Sequence, residues 1–223
     1  MPKPVRSANR KNKIELGFIF HYNTAMITCI LLAAGESMRF QSPKALASLQ
    51  NQTIIQRLQF MLVASDIDQI IIVLGAHREK IEPLILKHPK IQTVYNKDFK
   101  MGQTSSFQTG LHAAQSTPLC EAVLLLLVDY PLISLQTINY LKVQYIEKRP
   151  LVIIPTYQEK KGHPPLFSSL LFAELLALDP QEGVNTIIHR YENALTLLEV
   201  NDSGVIQTFN TLEEFKTLCA QLK

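Results

Sequence analysis

Residues Ile30–Leu46 read ILLAAGESMRFQSPKAL. The run that leads into them, Met26–Leu32, is apolar except for Thr28, the pattern of a strand buried on both faces. At Ala33-Ala34-Gly35 it breaks into a loop that holds Arg39 and Lys44. A packed core has no need of a glycine turn and two cations at the end of a buried strand. Small residues let backbone amides approach a ligand, and consecutive amides in a tight turn form a concavity for anions. Arg39 adds a planar fork and Lys44 a point charge; together these groups suit a polyphosphate. Standing alone, the loop would read as a plain glycine turn with solvated cations. It is not a Walker loop, since GxxxxGK[ST] is absent, and no GxGxxG follows any strand. Gly35-Glu36-Ser37 begins like the GxSxG elbow of hydrolases. Arg39 replaces the closing glycine and Pro43 is near, so a serine nucleophile is the weaker reading.

Further along, short apolar runs alternate with segments of helical period. Expected strands are Gln69–Leu74, Ile91–Tyr95, Ala122–Val128, Leu151–Pro155 and Ala194–Val200. Expected helices cover Thr53–Ala64, Glu79–Lys87, Ser105–Gln115, Leu135–Glu147, Ser169–Leu178, Val184–Tyr191 and Leu212–Leu222. This alternation predicts βαβ units, hence an α/β fold with a mostly parallel sheet covered on both faces. In such sheets ligands lie beyond the carboxyl ends of the strands. The loops of interest therefore follow Leu32, Tyr95, Val128, Pro155 and Val200. With no repeat, linker or low-complexity tract, residues 26–223 are expected to form one domain.

The 223 residues are 47% hydrophobic and 18% charged, a globular balance. The net charge of +3 originates at the start of the chain: residues 26–223 carry 17 Lys and Arg against 18 Asp and Glu. A near-neutral body argues against nucleic acid as a partner. Residues 1–25 read as a disordered basic extension, or as an over-long start ahead of Met26. Gly17–Phe20 is too short an apolar run for a secretory signal, and no segment reaches the ~20 apolar residues of a membrane helix. Cys29, Cys120 and Cys219 form neither a CxxC nor a disulfide pattern, which points to a reducing cytoplasm. No two histidines lie closer than 11 residues, which excludes an HExxH zinc helix.

Two more loops carry chemistry. Asp129 follows the apolar run Ala122–Val128, where a carboxylate is costly unless it emerges into a site. Beside bound phosphates it is a minimal ligand for Mg2+, which takes one or two carboxylates with phosphate oxygens and water. A turn or cap role is the alternative, although Ser134 is better placed to cap the helix from Leu135. In Lys100–Leu111, KMGQTSSFQTGL, Gly102 and the hydroxyls of Thr104, Ser105 and Ser106 precede a helix. At least one hydroxyl is expected to cap it, leaving others for a base or ribose. Lys161-Gly162-His163-Pro164 is a compact turn that alone says little.

Taken together, these motifs resemble the MobA-like nucleotidyltransferases, the family of molybdenum-cofactor cytidylyl- and guanylyltransferases. The family's LAAGxSxRMGxxK is similar to Leu32–Lys44, its GMxxSLRxGL to Gly102–Leu111 and its DxPL to Asp129–Leu132. GHPxLF is similar to Gly162–Phe167 and, more loosely, dpGvlxDiDTpeDl to Asp202–Phe215. The sequence departs from these motifs at Gln41 (for glycine), Gln108 (for arginine), and Thr208 and Asn210 (for two aspartates).

The resemblance implies a Rossmann-like, three-layer α/β/α nucleotidyltransferase fold. It also implies transfer of a nucleotidyl group from an NTP to an acceptor phosphate, with Mg2+ and release of pyrophosphate. Nucleotide contacts are implied along Leu32, Ala33, Ala34, Gly35 and Ser37, and again at Gly102, Ser105 and Ser106. Arg39 and Lys44 carry over as triphosphate contacts and, with Asp129, as the catalytic groups. Asp129 and Asn210 are the implied metal ligands, and Gly162 and His163 the acceptor-binding pair. LAAG rather than LAGG favours CTP over GTP, with molybdopterin as acceptor and a molybdoenzyme as partner. A sugar- or polyol-phosphate nucleotidyltransferase, or a nucleotide-binding partner of a molybdoenzyme without catalysis, is the alternative.

Overall fold

The strands, in chain order, are β1 (Met26–Ala33), β2 (Ser48–Leu49), β3 (Gln52–Thr53), β4 (Gln69–Leu74) and β5 (Ile91–Tyr95). They continue with β6 (Cys120–Leu127), β7 (Val152–Tyr157), β8 (Lys160–Lys161), β9 (Leu166–Ser168) and β10 (Leu195–Glu199). The helices are α1 (Ile54–Ala64), α2 (Arg78–Ile81), α3 (Gln103–Gln115), α4 (Leu135–Lys148), α5 (Phe172–Ala177), α6 (Asn185–Arg190) and α7 (Leu212–Ala220). This computed structural model describes residues 25–117 and 119–222. The reading of residues 1–25 as an extension lies outside them except at Ala25, which is buried in the core.

Eight strands form one sheet, in the order β10-β7-β9-β6-β1-β4-β5 with β8 added to β7, while β2 and β3 pair separately. β6, β1, β4 and β5 are parallel neighbours, and β10 is parallel to β7. β9 runs antiparallel to both β6 and β7. The expected α/β fold with a mostly parallel sheet is the one observed.

The two-sided burial of β1 explains why its sequence is apolar except at Thr28. Ile27, Cys29, Leu31 and Ala33 face one core with α1, α4 and α7, while Ile30 and Leu32 face a second core with α3, α5 and α6. Each such buried aliphatic side chain contributes about 1.5–3 kcal/mol. Capping fixes the helix starts: Thr53 and Gln56 form a capping box on α1, and Ser134 Oγ accepts the Thr137 amide on α4.

Three expectations are corrected. The helix expected over Glu79–Lys87 is only α2, followed by a 3-10 turn at Glu82–Leu84, because Pro83 has no amide and its ring crowds the preceding turn. The helix expected over Ser169–Leu178 is a 3-10 turn at Ser169–Leu171 followed by α5. The set of expected strands is incomplete: just beyond the turn at Lys161–Pro164 the chain forms the reversed strand β9. Among the described residues no helix is long and apolar enough to cross a membrane.

Candidate active site

The loop after β1 turns at unexpected residues. Ser37 (φ 55°) and Gln41 (φ 61°) take left-handed backbone conformations, whereas Gly35 does not. A Cβ added at Gly35 would meet no atom within 4 Å. Neither backbone strain nor packing therefore demands glycine there. The space it leaves open belongs to a cavity of about 450 Å³ at the carboxyl ends of β1 and β6. Among the described residues, the backbone amides from Gly35 to Arg39 find no protein acceptor. Gln41, in the place of the family's glycine, is exposed and outside the cavity wall.

Phe40 anchors this loop from behind. It is buried and meets Phe209 and Phe215 edge-on at 5.3 and 5.6 Å. That contact brings the C-terminal segment across the end of β1 and sets Asn210 opposite the cations. Arg39 Nη2 donates to Asn210 Oδ1 at 2.9 Å, and Lys44 Nζ donates to the same oxygen at 3.1 Å. Lys44 Nζ also donates to Asp129 Oδ2 at 2.9 Å and lies 5.3 Å over the Phe209 ring. Ser37 Oγ accepts the Lys44 amide at 3.1 Å, so this serine ties the two ends of the loop together.

Asp129 leaves β6 with its side chain 20% exposed. Its Oδ1 is buried and, among the described residues, lacks a hydrogen-bond partner. Such an atom costs about 1–3 kcal/mol, a cost that a cation arriving with substrate would remove. The oxygens of Asp129 and Asn210 are hard donors suited to Mg2+ or Mn2+. No group of three or more His, Cys, Asp and Glu side chains gathers among the described residues. The set therefore fits an ion that keeps water and takes phosphate oxygens, rather than one caged by protein alone.

Leu32, Ala33, Ala34, Gly102 and Ser106 line the same cavity, joined by Lys100 and Gln103, which sequence reasoning did not single out. Ser105 does not line it. Its hydroxyl donates to the carbonyls of Asp98 and Gly102 at 3.0 and 2.9 Å and accepts from Asn96 Nδ2 at 3.0 Å. The expected hydroxyl cap is also absent: Gly102 (φ 114°) is the N-cap of α3, without a side-chain bond. Gln108 turns away from the cavity, its Nε2 donating to the carbonyls of Leu175, Leu176 and Leu178 at 3.2, 3.2 and 2.8 Å. It closes the end of α5.

A second cavity of about 430 Å³ adjoins the first and shares Gln103 and Leu127 with it. Gly162 and His163 line it, brought to the carboxyl end of β6 because β9 runs backwards beside that strand. A Cβ on Gly162 would collide with Val205, 2.7 Å from its Cγ2, so this glycine is required by packing. His163 Nε2 accepts the Leu127 amide at 3.0 Å, and its ring stacks on Tyr130 with centroids 4.4 Å apart. Burial pushes the imidazole down to about 3, so at neutral pH it is uncharged.

A family profile described as the MobA-like NTP transferase domain matches residues 29–194. The chain belongs to the MobA-like NTP transferase family. The match takes in both cavities except for Asn210, which lies beyond it. Nicotine blue oxidoreductase of Paenarthrobacter nicotinovorans is 24% identical to this MobA-like chain over 201 residues, covering 86% of it and 96% of that protein. Among solved structures, Rv0371c of Mycobacterium tuberculosis H37Rv aligns with a TM-score of 0.75 at 24% identity, over 88% of this chain and 98% of that one. The manganese complex of Rv0371c aligns with a TM-score of 0.71 at 23% identity, over 87% and 98%. A nucleotidyl transferase from Methanothermobacter thermautotroptrophicus gives 0.71 at 18% identity, over 88% and 97%. These likenesses establish a shared nucleotidyltransferase fold.

Proposed function

We propose that this MobA-like protein is a Mg2+-dependent cytoplasmic nucleotidyltransferase. It moves a nucleoside monophosphate, CMP in preference to GMP, from the triphosphate to the phosphate of an acceptor such as molybdopterin. The observation that carries this reading is a convergence in one cavity. The open space at Gly35, the cations Arg39 and Lys44, and Asp129, whose buried Oδ1 lacks a partner among the described residues, all line it.

In the proposed reaction an oxygen of the acceptor phosphate attacks the α-phosphorus. A P–O bond forms there as the bond to the pyrophosphate oxygen breaks, and that electron pair leaves with pyrophosphate. Such transfer requires positioning and charge neutralisation rather than a covalent nucleophile. The amides from Gly35 to Arg39 bind phosphate oxygens, while Arg39 and Lys44 offset the charge that develops on the leaving group. Asp129 and Asn210 would hold Mg2+, which supplies further neutralisation at the phosphoryl oxygens. Ser37 has no nucleophilic part, since its oxygen is engaged with the Lys44 amide. The acceptor enters from the second cavity, past Gln103 and Leu127. The manganese complex of Rv0371c supports divalent-metal use by likeness alone.

Nicotine blue oxidoreductase, matched over 96% of its length, favours a second reading, an oxidoreductase using the same pair of cavities. The test is incubation of the full chain with each NTP in turn, Mg2+, and either molybdopterin or a panel of sugar and polyol phosphates. Pyrophosphate release with CTP and molybdopterin is the expected result. Release only with a sugar or polyol phosphate would replace the acceptor, and none with any combination would end the transferase reading.

A further inference from the structure

His163 does more than fill the wall of the second cavity. Its Nε2 accepts the Leu127 amide at 3.0 Å, and a ring nitrogen that accepts cannot hold the proton. In the neutral ring the proton is therefore on Nδ1. The residue is 8% exposed, and among the described residues Nδ1 has no hydrogen-bond partner. The ring lines the cavity and is held in its plane by the stacked Tyr130, 23° from parallel. The result is one uncharged donor, oriented by the Leu127 amide and the Tyr130 ring, with no protein group among the described residues to satisfy it. Lys161 and His189 also line this cavity, and Lys161 is paired with Glu192 at 3.2 Å, whereas Arg39 and Lys44 stand in the first cavity.

We propose that His163 is a specificity-determining residue of the second cavity, its Nδ1–H donating to an uncharged carbonyl oxygen or unprotonated ring nitrogen on the acceptor molecule. This rests on reading that cavity as the acceptor site. The acceptor is then two-ended: its phosphate reaches the cations of the first cavity, and a neutral hydrogen-bond acceptor lies at His163. A phosphate or carboxylate pressed against this ring would be desolvated beside an uncharged donor, with the cavity's lysine, Lys161, already engaged by Glu192. A carbonyl satisfies the donor and brings no charge.

The experiment uses full chain labelled with 15N-histidine, with His163 assigned by comparison with His163→Gln. Long-range 1H–15N spectra are expected to place the proton on Nδ1. Its resonance should move on addition of 2-pyridone, a small neutral carbonyl probe, and stay still with inorganic phosphate. A proton on Nε2, indifference to 2-pyridone, or a response to phosphate overturns the proposal. His163→Leu should weaken 2-pyridone binding about 10-fold, the upper range for one neutral hydrogen bond. His163→Gln, which keeps a donor and an acceptor, should restore it. If both variants instead lose Mg2+–CTP affinity equally and leave 2-pyridone binding alone, His163 only braces Leu127 and the proposal fails. A normal spectral response without pyrophosphate release would sink the transferase reading alone.

Discussion

Replacing Lys44 by methionine keeps the apolar stem and deletes one charge. In the folded chain Lys44 and Asp129 are 12% and 20% exposed and bonded at 2.9 Å. Removing the ammonium leaves a largely buried carboxylate with neither oxygen paired to a cation, since among the described residues Oδ1 already has no partner. Breaking a buried pair costs about 3–5 kcal/mol. Here the cavity admits water to one side, so the expected loss is about 3 kcal/mol, or about 6–12 °C in Tm for a chain of this size. Asp129→Asn alone should cost about 1 kcal/mol, because Lys44 retains Asn210. The double variant should be more stable than Lys44→Met, with a non-additivity of about 2 kcal/mol. Urea unfolding of the four proteins at pH 7.5 measures this directly. Additivity within about 0.5 kcal/mol would refute the argument that the pair is coupled and shielded.

Gln108→Ala removes the donor to three carbonyls at the end of α5 and should cost about 1–2 kcal/mol in thermal melts, with Mg2+–CTP affinity unchanged. Phe209→Ala should cost about 3–5 kcal/mol and, by releasing the anchor for Asn210, weaken nucleotide binding as well; a stable variant with normal affinity would contradict the aromatic anchor. The His163 imidazole is held at about 3, below an unfolded value of about 6.5. The unfolded chain therefore gains a proton that the folded chain refuses, and stability present above about pH 6.5 is lost as pH falls. Between pH 7.5 and 5.5 this contributes about 1.4 kcal/mol of the decline, which His163→Gln should abolish in denaturation curves taken at both pH values.

Sequence periodicity located most elements because their burial is two-sided and regular. β4 and β5 fall where the apolar runs lie, and Ser134 caps α4 as its position suggested. The missed pieces are short and carry little signal. The hairpins β2–β3 and β7–β8 turn on Gln50-Asn51 and Gln158-Glu159, all four at positive φ, without the glycine that usually advertises such turns. β9 has three residues, too few to show a period. At the site, Gly35, Arg39, Lys44 and Asp129 were legible as residue types that a buried strand end does not require. What brings Asn210 to them is the Phe40–Phe209–Phe215 contact across the whole chain, and apolar residues in a sequence do not announce their partners. The hydroxyls of Thr104 and Ser105 looked like caps or ligands; they donate back to carbonyls, a choice set by tertiary packing.

Gly35→Val offers the most direct measurement. Its Cβ enters open space, so the fold should be undisturbed and the melting temperature close to that of the parent. The branched side chain would occupy the volume assigned to the phosphate chain. Calorimetric titration with Mg2+–CTP should show binding to the parent protein and a loss of at least about 100-fold in the variant, from overlap with a rigid backbone cradle. Equal affinity in the two proteins would mean that the nucleotide lies elsewhere.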